Sequence, residues 1–225
     1  MTPKPLPLDE ARLFIEDGDT RIDRTILGAG TRVLTQEIPA TKSAGVSLWV
    51  PVGSRDEGPR TAGSTHFLEH LLFKGTNKRS ALDIAVAFDS VGGESNAETA
   101  REHTAYWARV RDADLDMAIE TLADMVTDSR LDEVDFSLER GVILDELAMR
   151  EDSPTDTVHD TFQLAVHGDR PIGRPVGGTA QAIREVERAD VWEHYQAHYC
   201  PSSLIVAAAG NVDHESVCER VQAAL

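Results

Sequence analysis

Hydrophobic and polar residues alternate over some short segments of the chain and recur at helical spacing over others. Alternation is typical of strands, and a period of three to four residues is typical of helices. The pattern predicts strands over residues 20–27, 31–38, 43–52, 94–100, 103–110 and 204–209. It predicts helices over residues 64–73, 81–91, 115–127, 133–150, 155–166, 189–198 and 215–225.

These elements predict one folded domain of class α+β, because strands and helices mix without a regular βαβ alternation. Residues 1–17 are expected to be a loosely packed extension, and residues 18–225 are expected to form the domain. Hydrophobic residues make up 41% of the chain, which is enough for a real core.

Charge narrows the classes of partner. The chain has 39 acidic and 22 basic residues, a formal net charge of −17. Nucleic-acid binding needs a basic face, so we expect no nucleic-acid partner. The acidity could attract basic peptides to a cavity, or it could be general surface acidity.

The segments that would indicate membranes or export are missing from the pattern. The longest apolar run, near residues 204–209, is too short to span a bilayer, and the first residues show no basic-then-apolar signal. Cys200 and Cys218 have no metal-ligand spacing. We therefore expect a cytoplasmic protein of a prokaryote, with reduced cysteines and no membrane partner.

The segment from His66 to His70 reads His-x-x-Glu-His. Two histidines four residues apart on a helix share a face, and neutral imidazoles at that spacing can hold one zinc ion. Glu69 projects toward the same side, where a carboxylate can take a proton from water on the metal. This order is typical of inverted zinc peptidases. The alternative is an amphipathic helix with an accidental histidine pair.

A third ligand is needed, because catalytic zinc has three protein ligands and an open position. Residues 135–147 are predicted to be helical, with an apolar face. Glu139 and Glu146 lie two helical turns apart and stack on one side of that helix. Acidic residues beside an apolar face are normally its solvated border, but a carboxylate aimed inward needs a partner such as zinc.

The motifs together resemble the pitrilysin (insulinase-like) family of zinc metallopeptidases, in its processing-peptidase β branch. His66-x-x-Glu69-His70 is followed by Glu-Arg-Gly-Val-Ile-Leu-x-Glu, from Glu139 to Glu146. Three further segments resemble the same branch and occur in the same order along the chain. They are Phe73-Lys74-Gly75-Thr76, Gly92-Gly93-Glu94-Ser95-Asn96-Ala97 and Ala207-Ala208-Ala209-Gly210-Asn211-Val212. The resemblance runs from about Thr20 to the end of the sequence.

The resemblance implies an antiparallel-rich sheet covered by helices, as in the processing-peptidase halves. It implies one zinc ion per chain, held by His66, His70 and Glu146. It makes Glu69 the general base and Glu139 a supporting carboxylate of the kind that orients ligands.

The resemblance also implies that an edge strand receives the peptide substrate. Its residues are Gly93, Glu94, Ser95, Asn96, Ala97, Glu98 and Thr99. Glu98 departs from the family, which often has an aromatic residue there. This departure leaves the zinc site untouched but puts the side-chain preference of the groove in doubt.

Two functions stay open at this point. One is a zinc endopeptidase that hydrolyses extended or unfolded peptides. The other is a non-catalytic half that binds zinc and peptide and needs a partner domain for activity. The resemblance implies a second half of similar fold, which would come from further chain or from a partner chain. The face that meets it could instead drive homo-oligomer formation. Purely structural zinc is disfavoured, since no fourth protein ligand is evident.

Other histidines and the start of the zinc helix carry simpler expectations. His194 and His198 are also four residues apart, but no glutamate accompanies them, so we interpret them as partly exposed residues of a surface helix. His214 is interpreted as an ordinary surface or loop residue. Ser64 or Thr65 is expected to cap the zinc helix.

Overall fold

A computed structural model of the chain describes residues 10–17 and 20–225. The strands are β1 (Arg12–Asp17), β2 (Thr20–Ile26), β3 (Arg32–Glu37), β4 (Ser43–Val50), β5 (Glu94–Thr99), β6 (Thr104–Arg111) and β7 (Ile205–Gly210). The α-helices are α1 (Ser64–Leu71), α2 (Ala81–Asp89), α3 (Leu115–Thr127), α4 (Glu133–Glu151), α5 (Pro154–His167), α6 (Ala180–Glu185), α7 (Arg188–His198) and α8 (His214–Ala224).

The seven strands form one sheet in the order β1-β2-β3-β7-β4-β6-β5. Neighbouring strands are antiparallel except β3 and β7, which are parallel. The α+β class with an antiparallel-rich sheet and covering helices is therefore confirmed. Strand β5 lies at one edge of the sheet, so one side of it has no strand partner among the described residues.

Alternation along the central strands separates the two faces of the sheet. In β4, Ala44, Val46, Leu48 and Val50 are buried, while the residues between them are more exposed. The buried face packs under α1 and α3, whose apolar side chains complete the core. The helix that carries the histidine motif is thus fixed to the sheet by hydrophobic burial, which is the dominant stabilising term in folding.

Most element boundaries match the predicted ones to within about two residues, but residues 12–17 differ and helix α6 was not predicted. Residues 12–17 were expected to be a loose extension, but they form β1 and pair along β2, with Phe14 opposite Asp23. Arg21 lies over the ring of Phe14, 4.7 Å from its centroid. This cross-strand contact depends on β2 being folded, which residues 12–17 alone do not reveal. Residues 1–9, also part of the predicted extension, lie outside the described residues.

The prediction for His214 was wrong. This residue begins α8, is buried, and contacts the hydroxyls of Thr25 and Thr35 at 2.8 Å through its two ring nitrogens. Cys200 and Cys218 are both free, and their redox state stays a prediction. Within the described ranges, no helix combines the length and apolar character that a bilayer crossing requires.

Candidate metal centre

The start of α1 is held by a distant carboxylate. The side chain of Glu57 accepts hydrogen bonds from the backbone nitrogens of Gly63 (2.7 Å) and Thr65 (2.8 Å). Ser64 and Thr65 do not cap the helix as predicted, since Gly63 is the N-cap and makes no side-chain bond. A negative group at a helix N-terminus satisfies unpaired N–H groups and suits the helix dipole. Burial raises the pKa of Glu57, although these bonds oppose the shift.

The apolar side of α1 fixes its orientation toward α4. Phe67, Leu68 and Leu71 are fully buried. Phe67 stacks on Phe136 of α4 with ring centroids 4.7 Å apart. Because the two helices are locked through this pair, the face of α1 that carries His66 and His70 meets the face of α4 that carries its glutamates.

Three candidate ligand atoms converge between these helices. His66 Nε2 and His70 Nε2 are 3.3 Å apart, and each lies 3.5 Å from Oε2 of Glu146. Ligand atoms about 2.0–2.1 Å from a zinc ion at tetrahedral angles lie about 3.3–3.4 Å from one another. The three atoms are thus spaced as three corners of a zinc tetrahedron. They form the one such cluster found among the described residues.

The orientation of His70 is set by Glu139. Oε2 of Glu139 lies 2.9 Å from Nδ1 of His70, and Oε1 lies 2.7 Å from Nζ of Lys74. A carboxylate can only accept, so Nδ1 carries the hydrogen, and a neutral ring in this tautomer offers the lone pair of Nε2 to the cluster. Burial alone would raise the pKa of Glu139, but the bonds from Lys74 and His70 outweigh it and lower that pKa.

The cluster is enclosed on the His66 side and open on the Glu146 side. The His66 side chain is 9% exposed and the Glu146 side chain 41%. The bond from His66 lowers the pKa of Glu146 against the opposing effect of burial. Nδ1 of His66 is buried without a hydrogen-bond partner among the described residues. Gly177 backs this ring so closely that a Cβ there would lie 3.1 Å from Nδ1.

Glu69 occupies a different position from the three converging residues. It is half-buried on α1, and its carboxylate is not part of the cluster. It makes no hydrogen bond or ion pair with the part of the chain that the structure describes. Its oxygens are therefore free to accept a proton from a bound molecule.

The predicted substrate strand is β5, which contacts α1 at the sheet edge. Ala100 donates to the carbonyl of His103 across the strand pair, so by alternation the backbone groups of Ser95, Ala97 and Thr99 face the free edge. The N–H of Ala97 donates to its neighbour, Oδ1 of Asn96, at 2.9 Å. Gly93 precedes the strand and donates to Phe88. The binding role of these residues stays a prediction.

The second histidine pair is not the exposed pair that was predicted. His194 is buried, and its Nε2 lies 3.2 Å from the hydroxyl of Thr65, while His198 is partly exposed. Burial, with a smaller effect of the charge on His198, lowers the pKa of His194 to about 4. His194 therefore packs beneath the start of α1 and stabilises the fold in its neutral form.

Three residues around the cluster escaped the sequence reasoning. Lys74 belongs to the Phe73-Lys74-Gly75-Thr76 string, and its position just after the histidine motif was the available signal. Glu57 and Gly177 lie in loops, where no periodic pattern marks a contact with a distant helix. Their contacts with α1 and His66 become visible only in the folded chain.

Two packed helices that cover a mixed sheet bring His66, His70 and Glu146 together, and this arrangement defines a metallopeptidase-like domain. The sequence profile of the Insulinase family (Peptidase family M16) matches residues 32–180, more than half of the chain. The chain belongs to this family, as the resemblance predicted.

Two relatives and one solved structure are consistent with membership of this family. A protein of Streptomyces coelicolor named "Uncharacterized zinc protease" is 51% identical over 209 residues, which is 93% of this chain and 46% of that protein. The "Probable mitochondrial-processing peptidase subunit beta" of Arabidopsis thaliana is 37% identical over 204 residues, 91% of this chain and 38% of that protein. A crystal structure of a protease from Helicobacter pylori, 27% identical, superposes with a TM-score of 0.86 over 91% of this chain and 49% of that chain.

These relatives are much longer than this chain. The chain spans about half the length of the zinc proteases it matches, and less of the processing-peptidase subunit. These similarities therefore show the family and the fold of this chain.

Proposed function

We propose that the chain is the zinc-binding half of an endopeptidase that hydrolyses peptide bonds in extended or unfolded peptides. The observation that carries the proposal is the convergence of His66, His70 and Glu146 at tetrahedral spacing. The relatives named as zinc proteases support it. The proposal includes one zinc ion per chain, with Glu69 beside it as the general base.

When bound, zinc would supply Lewis-acid chemistry that polarises a carbonyl and lowers the pKa of water to about 7. Glu69 accepts the proton of the attacking water and later passes it to the leaving amine. Glu139 keeps Nε2 of His70 directed at the cluster by accepting from Nδ1. The exposure of Glu146 leaves that side of the cluster accessible to a peptide.

The substrate would bind as an added strand along β5. The outward backbone groups of Ser95, Ala97 and Thr99 would pair with an extended peptide, and Asn96 would release the N–H of Ala97 to it. Main-chain pairing gives affinity without demanding a particular sequence. This mode fits unfolded peptides as a substrate class, and it leaves side-chain preference to residues such as Glu98.

We further propose that full activity needs a second half of similar fold, either from further chain or from a partner chain. The chain covers about half of its zinc-protease relatives, which supports this requirement. The same fact favours the second candidate function, a half that binds zinc and peptide but does not turn over alone. Cytoplasmic location and homo-oligomer formation stay predictions.

The test measures zinc content and cleavage of an unfolded peptide by the wild-type chain and by Glu69→Gln. The matched control is Glu151→Gln, which changes an exposed glutamate on α4. About one zinc per chain with cleavage that depends on Glu69 would support the endopeptidase proposal. Zinc without cleavage would favour the binding half. Normal turnover by Glu69→Gln would overturn the base assignment, and no zinc under metal-replete conditions would overturn the proposal as a whole.

A further inference from the structure

We propose that Lys74 is a positioning residue of the metal centre, acting through Glu139 on the orientation of His70. The inference rests on the proposed function, because it gives Lys74 a role in holding the metal. Lys74 itself makes no hydrogen bond or ion pair with the three converging residues, and its described ion pair is with Glu139.

The contacts form a continuous chain of hydrogen bonds. Lys74 Nζ lies 2.7 Å from Oε1 of Glu139, and Oε2 of the same carboxylate lies 2.9 Å from Nδ1 of His70. The Glu139 side chain is only 7% exposed, so water has little access to either oxygen. Lys74 and His70 thus each bind one oxygen and together fix the plane of the carboxylate.

The backbone around Lys74 is anchored on both sides. Lys74 ends the tight turn Leu72–Lys74 that follows α1 directly, so it is tied to the helix that carries His70. Two residues later, the hydroxyl of Thr76 donates to buried Asp124 at 2.7 Å. The ammonium group therefore approaches Glu139 from a fixed base, which a mobile surface lysine would not have.

Glu139 needs a second partner in order to hold His70. A buried carboxylate oxygen without a hydrogen bond is costly, and the side chain would relieve that cost by turning toward water. His70 Nδ1 would then lose its acceptor, and Nε2 would no longer be held toward Glu146. Partners of this kind are worth 10- to 100-fold in metal affinity.

Electrostatic repulsion alone predicts the opposite change in zinc affinity when Lys74 is removed. A positive charge near a metal ion repels it, so removing Lys74 should tighten zinc binding if charge alone mattered. A positioning role predicts weaker binding when Lys74 is removed. The direction of the change in zinc affinity therefore separates the two roles.

The experiment compares the full chain with Lys74→Met, Lys74→Arg, Glu139→Gln and the double variant Lys74→Met/Glu139→Gln. Lys78→Met is the matched control, because Lys78 lies on the same loop and pairs with Asp124 instead. Zinc affinity is measured by competition with a fluorescent chelator. The side-chain tautomer of His70 is measured by ¹⁵N NMR in the metal-free protein. Melting temperatures identify any loss of folding, in which case Lys74→Gln replaces Lys74→Met.

We expect Lys74→Met to bind zinc about tenfold or more weakly. Lys78→Met should stay within about twofold of wild type, and Lys74→Arg should restore most of the loss by supplying another donor. Lys74→Met should add little once Glu139 is already Gln. In the metal-free protein, the Nδ1–H tautomer of His70 should dominate in wild type and Lys74→Arg and become mixed in Lys74→Met.

Equal or tighter zinc binding by Lys74→Met would overturn the inference, and so would an undiminished effect in the Glu139→Gln background. Failure of the proposed function is distinguishable from these outcomes. If wild type held no zinc but the His70 tautomer still depended on Lys74, the metal assignment would fall and the positioning contact would stand. A tautomer independent of Lys74 would overturn the positioning contact itself.

Discussion

Two pairs of histidines four residues apart lie on helices of this domain, and the distances between their ring centroids are similar. The ring centroids are 4.9 Å apart for His66 and His70 and 4.6 Å apart for His194 and His198. Among the described residues, only the first pair belongs to a cluster that could hold a metal. Helical spacing therefore creates the opportunity for a metal site but does not decide it.

The neighbouring helix makes the difference. The pair on α1 faces α4, which supplies Glu146 to the cluster and Glu139 to the back of His70. His194 on α7 instead lies against the hydroxyl of Thr65, and its burial favours the neutral ring. Thus the first pair faces candidate metal ligands on a neighbouring helix, whereas in the second pair His194 packs against the helix that carries the first.

The largest loss of zinc affinity is expected when the cluster of the α1 pair is broken by substitution. His70→Ala or Glu146→Gln should weaken zinc binding at least about a hundredfold, because even residues that only support ligands are worth 10- to 100-fold. His198→Ala, the matched change in the other pair, should leave zinc affinity within about twofold. Isothermal titration with zinc measures all three. Comparable losses from His70→Ala and His198→Ala would contradict the distinction between the pairs.

The next prediction concerns the glutamates at the N-termini of α1 and α7, the helices that carry the two pairs. Glu57→Ala should lower the free energy of unfolding by about 2–4 kcal/mol, since it leaves two buried N–H groups of α1 without an acceptor. Glu187→Ala, at the exposed N-cap of α7, should cost no more than about 1 kcal/mol. Urea unfolding of the metal-free proteins gives both values. Equal costs would mean that Glu57 does not hold α1.

Acid should expose the role of His194. Because folding lowers its pKa from 6.5 to about 4, the unfolded state binds more protons, and the stabilisation present above pH 6.5 is lost as the pH falls toward 4. At pH 5 this contribution is about 2 kcal/mol. Urea unfolding of metal-free protein at pH 7.5 and pH 5 should show His194→Gln losing about 2 kcal/mol less than wild type. A pH slope unchanged by this substitution would show that His194 is not buried as a neutral ring.

The smallest effect tests the packing behind His66. In Gly177→Ala, the added methyl would lie 3.0 Å from Leu147 and 3.1 Å from Nδ1 of His66, so the ring must shift by a few tenths of an ångström. Zinc affinity should fall by less than about tenfold. Gly141→Ala on α4 meets nothing within 4 Å and should leave zinc affinity unchanged. A chelator competition assay measures the zinc affinities of both variants. Identical affinities would mean that the ring of His66 has room to move.

The candidate metal cluster could be anticipated from the sequence because its parts follow helical periodicity. His66 and His70 are one turn apart, and Glu139 and Glu146 two turns apart, so each helix could be read by itself. That Glu146 joins the histidines while Glu139 stands behind His70 came from family resemblance. The structure shows the physical reason, which is the stacking of Phe67 on Phe136.

The parts that escaped the sequence are contacts between segments with no common period. Strand β1 exists because β2 offers it an edge, and Glu57 reaches α1 from a loop. His214 and His194 resembled surface residues because burial depends on which helices pack together. Local patterns determine elements, whereas these contacts depend on the arrangement of the whole domain.

We propose that His66, His70 and Glu146 hold one zinc ion and that His194 and His198 hold none. The most direct measurement is an anomalous difference map at the zinc absorption edge, from crystals grown with zinc. We expect one peak per chain, about 2.0–2.2 Å from Nε2 of His66, Nε2 of His70 and Oε2 of Glu146. A peak beside His194 and His198, or no peak between α1 and α4, would contradict it.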